Sequence, residues 1–272
     1  MKIETLFDVQ QRVVVITGGA SGIGLAFAEI LSANGARVTI MDIDEAAMER
    51  EAARLRAAGG DVRTEHVDLL DRPAIYRAFR NTGEHYGRID VLFANAGMDA
   101  GSGFLDLAGQ RVEEGQVENF PDEAWDRVIA VNLTGTMATI KAAVPYMRKA
   151  GGGRIVVTTS TASVSVNAVA SLGYYPAKAG AAHLVRRLAL ELAGANILVN
   201  SIAPGGVATN IAGGMIKDPE FQKKVAPMIP LHRVAQPDDL KGLAVFLASP
   251  ASAYITGTQF LVDGGTMLGP AD

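Results

Sequence analysis

The sequence predicts an α/β fold: a doubly wound, mostly parallel sheet held in one domain. Three observations predict it. Short apolar runs alternate with segments of helical period along nearly the whole chain. The first run, Val13-Val14-Val15-Ile16, is apolar at every position, as a central strand buried on both faces requires. The 272 residues, 49% hydrophobic and 20% charged, also suit one domain of this class, with no linker, repeat or low-complexity tract to divide it.

The elements follow in order. After the strand at 13–16, residues 23–33 (IGLAFAEILSA) carry the apolar spacing of a helix packed on it. Val38-Thr39-Ile40-Met41 is the second strand, and 45–58 a helix closed by Gly59-Gly60. A weaker strand at 63–67, a helix at 72–86 and a strand at 89–94 (IDVLFA) continue the alternation. Residues 123–149 read as one long helical region, followed by a strand at 154–159 (RIVVTT). A helix at 174–193, a strand at 196–202, a helix at 237–248 and a last strand at 259–262 complete the chain. Residues 98–120 stand apart. They hold Gly101, Gly103, Gly109 and Gly115 among acids with no clear period, a loop of a length that is functional or disordered. It follows the fourth strand, so it is expected on the carboxyl edge of the sheet, as substrate wall or subunit contact. Residues 210–228 are expected to form a substrate lid.

Composition narrows the partners. Lys+Arg 25 against Asp+Glu 29 gives a net charge of −4, so no basic field favours nucleic acid or anionic lipid. The uncharged stretches 155–177 and 192–216 are broken by Gly, Pro and polar residues, which reads as buried strands with their loops rather than membrane spans. Cysteine is absent, and His66, His85, His183 and His232 have no metal-ligand spacing, so no metal is expected. The start, MKIETLFDVQQR, has no signal-peptide apolar stretch, and a cytoplasmic location is expected.

Two motifs carry chemistry. After the first strand comes Thr17-Gly18-Gly19-Ala20-Ser21-Gly22-Ile23-Gly24. Glycines at 18, 22 and 24 permit a tight turn and close approach of a pyrophosphate, toward which the next helix points its free N–H groups. A Gly-rich turn can also be only a turn, but here a strand precedes it, a helix follows and an acid stands downstream. That acid, Asp42, ends the second strand, where a carboxylate suits the ribose hydroxyls of an adenosine. A 2′-phosphate would be repelled by roughly 4 kcal/mol at 4 Å and an effective dielectric constant near 20. Neither Ser21 nor Ile43 supplies a compensating base, so the cofactor expected is NAD. The second motif is Tyr174-Tyr175-Pro176-Ala177-Lys178, which sets Tyr174 and Lys178 on one helix face. Bringing a tyrosine from near 10 to about 7 takes roughly 4 kcal/mol, which one ammonium within ~4 Å supplies. An ordinary solvated helix face can present the same pair.

Together these motifs make the chain resemble the short-chain dehydrogenase/reductase family in its compact one-domain form. The similarity runs from about residue 10 to residue 265. Supporting segments stand in order: Asp68-Leu69, Asn95-Ala96-Gly97, Val131-Asn132-Leu133, Ser160, Pro204 to Thr209, and Val262-Asp263-Gly264-Gly265. The resemblance implies a Rossmann-type sheet and a set of roles. Tyr174 is then the general acid/base, Lys178 lowers its pKa and binds the nicotinamide ribose, Ser160 hydrogen-bonds the substrate oxygen, and Asn132 holds a relay water. Gly18, Ser21, Gly22, Ile23 and Gly24 meet the pyrophosphate. Asp68 and Leu69 meet the adenine, Asn95 the adenosine ribose, and Val207 and Thr209 the carboxamide and phosphates.

The implied activity is hydride transfer between NAD and a secondary alcohol or ketone, by a homotetramer. Two alternatives remain: an NADPH-dependent carbonyl or ketoacyl reductase, against which Asp42 argues, and a non-catalytic NAD-binding sensor, against which the full Asn132–Ser160–Tyr174–Lys178 set argues. Departures from the family pattern are Ala94 where a first Asn is usual, and Pro176-Ala177 between the tyrosine and the lysine. Thr161 is a rival for the serine role, and the 98–120 segment is unusually long.

Overall fold

The computed structural model describes residues 2–106 and 108–269, with only the backbone of Ala212; parts of the 1–272 domain and of the 98–120 and 210–228 segments thus lie outside the described residues. A short helix α1 (Ile3–Leu6) leads into β1 (Val13–Thr17), α2 (Gly22–Ala33), β2 (Arg37–Asp42), α3 (Glu45–Ala57), β3 (Asp61–His66), α4 (Arg72–Tyr86) and β4 (Val91–Ala94). After the long connection come α5 (Asp122–Ile129), a π-helical segment Ala130–Gly135, α6 (Thr136–Lys149), β5 (Gly153–Thr158) and α7 (Tyr174–Leu192). The chain finishes through β6 (Ile197–Pro204), α8 (Pro219–Val225), α9 (Lys241–Ala248) and β7 (Gln259–Val262). The sheet order is β3-β2-β1-β4-β5-β6-β7 and every pairing is parallel. The chain therefore reverses its winding between β1 and β4, where an open α/β sheet forms its ligand crevice.

Each central strand feeds two cores, because successive side chains point to opposite faces. Val14 and Ile16 pack with Phe27 and Leu31 of α2, Met48 of α3 and Leu247 of α9. Val13 and Val15 pack with Phe79 of α4, Met147 of α6 and Val185 of α7. Local signals start and stop the helices. Asp44 accepts from Ala47 N at 2.9 Å to cap α3, and Asp71 accepts from Ala74 N at 3.0 Å to cap α4, which ends at a left-handed Gly87.

Several boundaries differ from those read in the sequence. β3 occupies Asp61–His66 rather than 63–67: it is an edge strand whose Asp61, Arg63 and Glu65 meet polar side chains of α4, so it pairs without an apolar run to announce it. β4 begins at Val91 because Asp90 is used otherwise: its Oδ2 accepts from Val13 N at 2.9 Å and its Oδ1 from Arg88 Nε at 2.8 Å. The 237–248 helix opens as a 3₁₀ turn, Pro237–Leu240. The 123–149 helix widens at Ala130–Gly135, and by length and composition alone Asp122–Lys149 would suffice to cross a membrane. Half of its most apolar window is buried inside the fold, as in a core helix.

The Asp90 carboxylate satisfies a buried strand N–H that has no partner in the sheet. Asp90→Ala should therefore cost ~1–3 kcal/mol, the penalty of a buried unpaired donor, read as a lower urea midpoint. Asp90→Asn, which keeps an acceptor there, should cost less; equal losses would show that the charge rather than the hydrogen bond matters.

Candidate active site

The carboxyl ends of β1, β2, β4, β5 and β6 open onto one cleft of about 560 Å³. It is built outward from the turn after β1. Gly18 has a φ of +64° and its N donates to Met41 O at 2.8 Å, which folds the turn back over β2. A Cβ at Gly18 would lie 2.9 Å from Ala96 Cα, so only glycine lets the two loops touch. Ser21 precedes α2 in extended conformation and makes no side-chain cap bond. The first-turn N–H groups of Gly22 and Ile23 lack intrahelical partners at the cleft wall, the geometry of an anion site. Thr209, from the loop after β6, lies across this turn, with its Cγ2 3.2 Å from where a Gly22 Cβ would be.

Gly24, unlike the other glycines of the motif expected at the pyrophosphate, is not among the residues lining the cleft. A Cβ there would stand 2.1 Å from Gly18 O and 2.6 Å from Asn95 Nδ2, so its bareness serves the packing of α2 on the turn. Asn95 has a structural part as well. It reaches the cleft, but its amide is spent on the protein: Nδ2 donates to Thr17 O at 3.1 Å and Gly18 O at 3.3 Å, and Oδ1 accepts from Thr158 Oγ1 at 2.9 Å. The Asn95 amide thus braces the ends of β1 and β5.

Asp42 stands at the end of β2 on the cleft wall, its Oδ2 accepting from Ala20 N at 2.9 Å and its Oδ1 from Asp44 N at 3.1 Å. Among the described residues the cations lining the cleft are Arg127 and Lys178. Asp68, Leu69, Val207 and Thr209 all line it too. Asp68 shapes its own turn, its Oδ1 accepting from Leu70 N at 2.8 Å.

At the other end Ser160, Tyr174 and Lys178 meet. Tyr174 is the first residue of α7, and Pro176 sits in the first turn, where its missing N–H leaves no bond unmade. The Ser160 hydroxyl stands where it favours the phenolate of Tyr174, and Thr161 does not line the cleft, which leaves Ser160 as the hydroxyl beside the tyrosine. Lys178 is buried, donates from Nζ to Thr158 O at 3.0 Å and lies 5.5 Å from the centre of the Tyr174 ring. Asn132 is buried behind the lysine and does not reach the cleft. Its Nδ2 donates to Met98 O at 2.7 Å and Val128 O at 3.0 Å, and its Oδ1 accepts from Met98 N at 3.2 Å. A Cβ at Gly97 would be 2.7 Å from Asn132 Oδ1 and 3.2 Å from Lys178 Nζ, so bare Gly97 is what lets the two side chains share one spot.

The electrostatics differ from the simple picture of a lysine pulling a tyrosine down. Burial pushes Tyr174 up to about 12, with Ser160 opposing it, and burial pushes Lys178 down to about 8. The lysine points at the Thr158 carbonyl, and in a low-dielectric site each group prefers to be neutral. The Asp99 charge raises both. Sequence reading missed Asp99, which lines the cleft beside them, and missed the π segment that carries Asn132; the acid stood in an aperiodic stretch and the widening has no composition signal.

Among the described residues of the 98–120 segment, Met98 and Asp99 line the cleft. Gly103 and Leu105 touch the connection leading to α7, with Leu105 N donating to Ala168 O at 3.2 Å. Arg111 reaches Gln116 Oε1 at 3.2 Å. The 210–228 segment folds as a 3₁₀ turn Ile211–Lys217, α8 and a second turn Ala226–Met228.

Comparison with known proteins gives a consistent result. Residues 18–267 match the family model described as Enoyl-(Acyl carrier protein) reductase. The chain is 36% identical over 258 residues to cis-4-hydroxycyclohexanecarboxylate dehydrogenase of Sinomonas cyclohexanicum, covering 94% of this chain and 96% of that one. It is 33% identical over 258 residues to L-rhamnose 1-dehydrogenase (NAD(P)(+)) of Azotobacter vinelandii, covering 93% and 96%. Its fold superposes with a TM-score of 0.88 on a short-chain type dehydrogenase/reductase from Mycobacterium marinum, at 29% identity and with 97% and 99% of the two chains covered.

The burial of Lys178 has a measurable consequence. Its ordinary value is 10.5 and its folded value about 8, so between these the unfolded chain holds a proton that the folded one has released. Stability contributed here therefore rises with pH across that window and is lost as pH falls through 8. Tyr174, raised from 10.0 to about 12, works in the opposite direction only above pH 10. Lys178→Met removes the lysine's part. Its advantage over wild type in free energy of unfolding, read from urea titrations, should shrink from pH 7.5 to pH 10 by up to ~3 kcal/mol at about 1.4 kcal/mol per pKa unit. Parallel curves for the two proteins would contradict the burial of the charge.

Proposed function

The chain belongs to the short-chain dehydrogenase/reductase family and is an oxidoreductase acting on CH–OH groups, and from that premise we propose that it is an NAD-dependent dehydrogenase of secondary alcohols with Tyr174 as its acid/base. The observation that carries the proposal is the meeting of Ser160, Tyr174 and Lys178 at one end of the cleft whose other end holds the glycine turn and Asp42. The residues present fit the dinucleotide: partnerless helix N–H groups for the pyrophosphate, Asp42 for the adenosine ribose, Asp68 and Leu69 for the adenine, and Lys178 for the second ribose. When bound, NAD⁺ supplies the hydride acceptor and a positive charge that favours the phenolate otherwise opposed by burial. Ser160 orients the substrate oxygen, Tyr174 takes the hydroxyl proton, and Lys178 holds the charge behind it, with Asn132 fixing the main chain at Met98. Overall a secondary alcohol and NAD⁺ give a ketone, NADH and a proton.

The same reading extends outward. Leu190, Tyr254 and Leu268 are exposed apolar residues, 81%, 104% and 90% accessible, which supports a homotetramer rather than a monomer. Segment 210–228 contributes Asn210, Ile211, Gly213 and Ile216 to the cleft wall, which supports its role as a lid.

Two tests follow. Tyr174→Phe keeps the ring and removes the proton. It should bind NAD within a few-fold of wild type and lose at least ~10²-fold in kcat, the scale of general acid/base catalysis. Near-normal turnover by the folded variant would remove Tyr174 from the mechanism. For the cofactor, wild type should favour NAD over NADP in kcat/KM by at least about tenfold, since Asp42 repels a 2′-phosphate. Asp42→Ala with Ile43→Arg should shift that ratio toward NADP; a wild type that already prefers NADP would overturn the reading of Asp42.

A further inference from the structure

Asp99 stands two residues beyond Gly97 and lines the cleft beside Ser160, Tyr174 and Lys178. It is held from behind by the fully buried Ser171, whose hydroxyl donates to Oδ1 in a short hydrogen bond. Ala100 N also donates to Oδ1, at 2.9 Å. Oδ2 receives only a long 3.4 Å contact from Ser171 N. An ionised carboxylate has about four acceptor sites, so Oδ1 is committed to the protein while Oδ2 keeps capacity. Among the described residues no cation forms an ion pair with Asp99, and its charge is felt at both Tyr174 and Lys178. A negative acceptor, fixed from behind and unneutralised, therefore borders the place where a substrate meets the tyrosine.

Resting on the dehydrogenase reading above, we infer that Asp99 is a specificity-determining residue that selects diols and polyols, whose second hydroxyl donates to it, and rejects substrates with an anionic group beside the reacting carbinol. A neighbouring hydroxyl finds a charged acceptor already oriented. A neighbouring carboxylate meets the like charge of Asp99 in a partly desolvated cleft; of the two cations lining it among the described residues, Lys178 already donates to Thr158 O, and Arg127 alone is left to offset that repulsion. A simple monoalcohol leaves Oδ2 unsatisfied and stands between the two.

The rival explanation is purely structural, because Asp99 also ties the loop after β4 to Ser171, and Tyr174 N donates to Ser171 O at 3.2 Å. Two variants separate them. Asp99→Asn keeps the shape and removes the charge; Ser171→Ala keeps the charge and loosens the tie. Three substrates are compared with NAD: cis-1,2-cyclohexanediol, cyclohexanol and cis-2-hydroxycyclohexanecarboxylate. Wild type should favour the diol over both others by at least about tenfold in kcat/KM, the scale of a hydrogen bond to a charged group. In Asp99→Asn the diol should lose most of its advantage over cyclohexanol through KM, and the carboxylate should gain about tenfold relative to cyclohexanol, the ratios cancelling any change common to all three substrates that follows from removing the charge beside Tyr174 and Lys178. Ser171→Ala should lower all three together. The inference is overturned if Asp99→Asn leaves the three ratios unchanged, or if wild type prefers the carboxylate. Calorimetric titration of the diol and the carboxylate into the NADH-loaded enzyme separates this from the premise. A wild-type preference for the diol that Asp99→Asn abolishes supports the inference even where no alcohol is oxidised, an outcome that would sink the dehydrogenase reading alone. No difference in binding overturns the inference.

Discussion

The carboxamide of Asn95 joins three strand ends at the point where the sheet reverses its winding. It donates to Thr17 O and Gly18 O beyond β1 and accepts from Thr158 Oγ1 at the end of β5. Thr158 in turn offers its carbonyl to Lys178 Nζ. One amide thus links the glycine turn at one end of the cleft to the lysine at the other. Parallel strands supply no side-chain contact of this kind by themselves, because their ends splay with the twist of the sheet. Removing the amide would leave two main-chain carbonyls and a threonine hydroxyl to find other partners in a half-buried place, which is where unmade hydrogen bonds are costly.

The same burial that makes the brace strong sets the state of the reactive pair. Burial keeps Tyr174, raised to about 12, neutral near pH 7, and brings Lys178, lowered to about 8, close to losing a proton that it still mostly holds there. Burial opposes charge in a low-dielectric pocket, and added charge shifts such groups most where water is scarce. The pocket is therefore tuned to respond to the charge of what enters it. Asp99 already exerts such an influence, raising both groups.

How much of this the sequence discloses depends on whether a feature has a period or a fixed spacing. The order of strands and helices does, because burial on two faces dictates apolar runs and burial on one dictates helical spacing. Tyr174 and Lys178 were visible as one helix face, and the glycine turn as a strand-to-helix junction. The edge strand β3 was blurred because its Asp61, Arg63 and Glu65 meet polar side chains of α4. The motif marks Gly24 as a ligand contact but not the room its missing Cβ makes for Gly18 O and Asn95. The resemblance marks Asn95 as a ribose contact but not its brace, whose partners come from positions far along the chain. The π segment Ala130–Gly135 turns Asn132 inward toward Met98 and Val128, and no local propensity announces such a widening. Asp99 acquires meaning only when Ser171, remote in sequence, is folded behind it.

The long connection after β4 shows why reading glycine as flexibility can mislead. Ordering a residue costs about 1–2 kcal/mol of backbone entropy, so a segment as long as 98–120 needs many contacts to be held. Its glycines provide them by letting backbones touch. A Cβ at Gly103 would lie 2.2 Å from Ala168 O, and one at Gly115 would lie 1.9 Å from Gly103 O. The first contact binds the segment to the connection that runs into α7, the second binds the segment to itself. Leu105 N adds a hydrogen bond to Ala168 O, and Asp99 adds the bond from Ser171. Two loops that would each be costly to order alone are thereby ordered against each other. The shared wall ends at Ser171, whose carbonyl receives the N–H of Tyr174. The position of the reactive tyrosine is therefore set from two sides: by the sheet through Asn95, Thr158 and Lys178, and by the paired loops through Asp99 and Ser171.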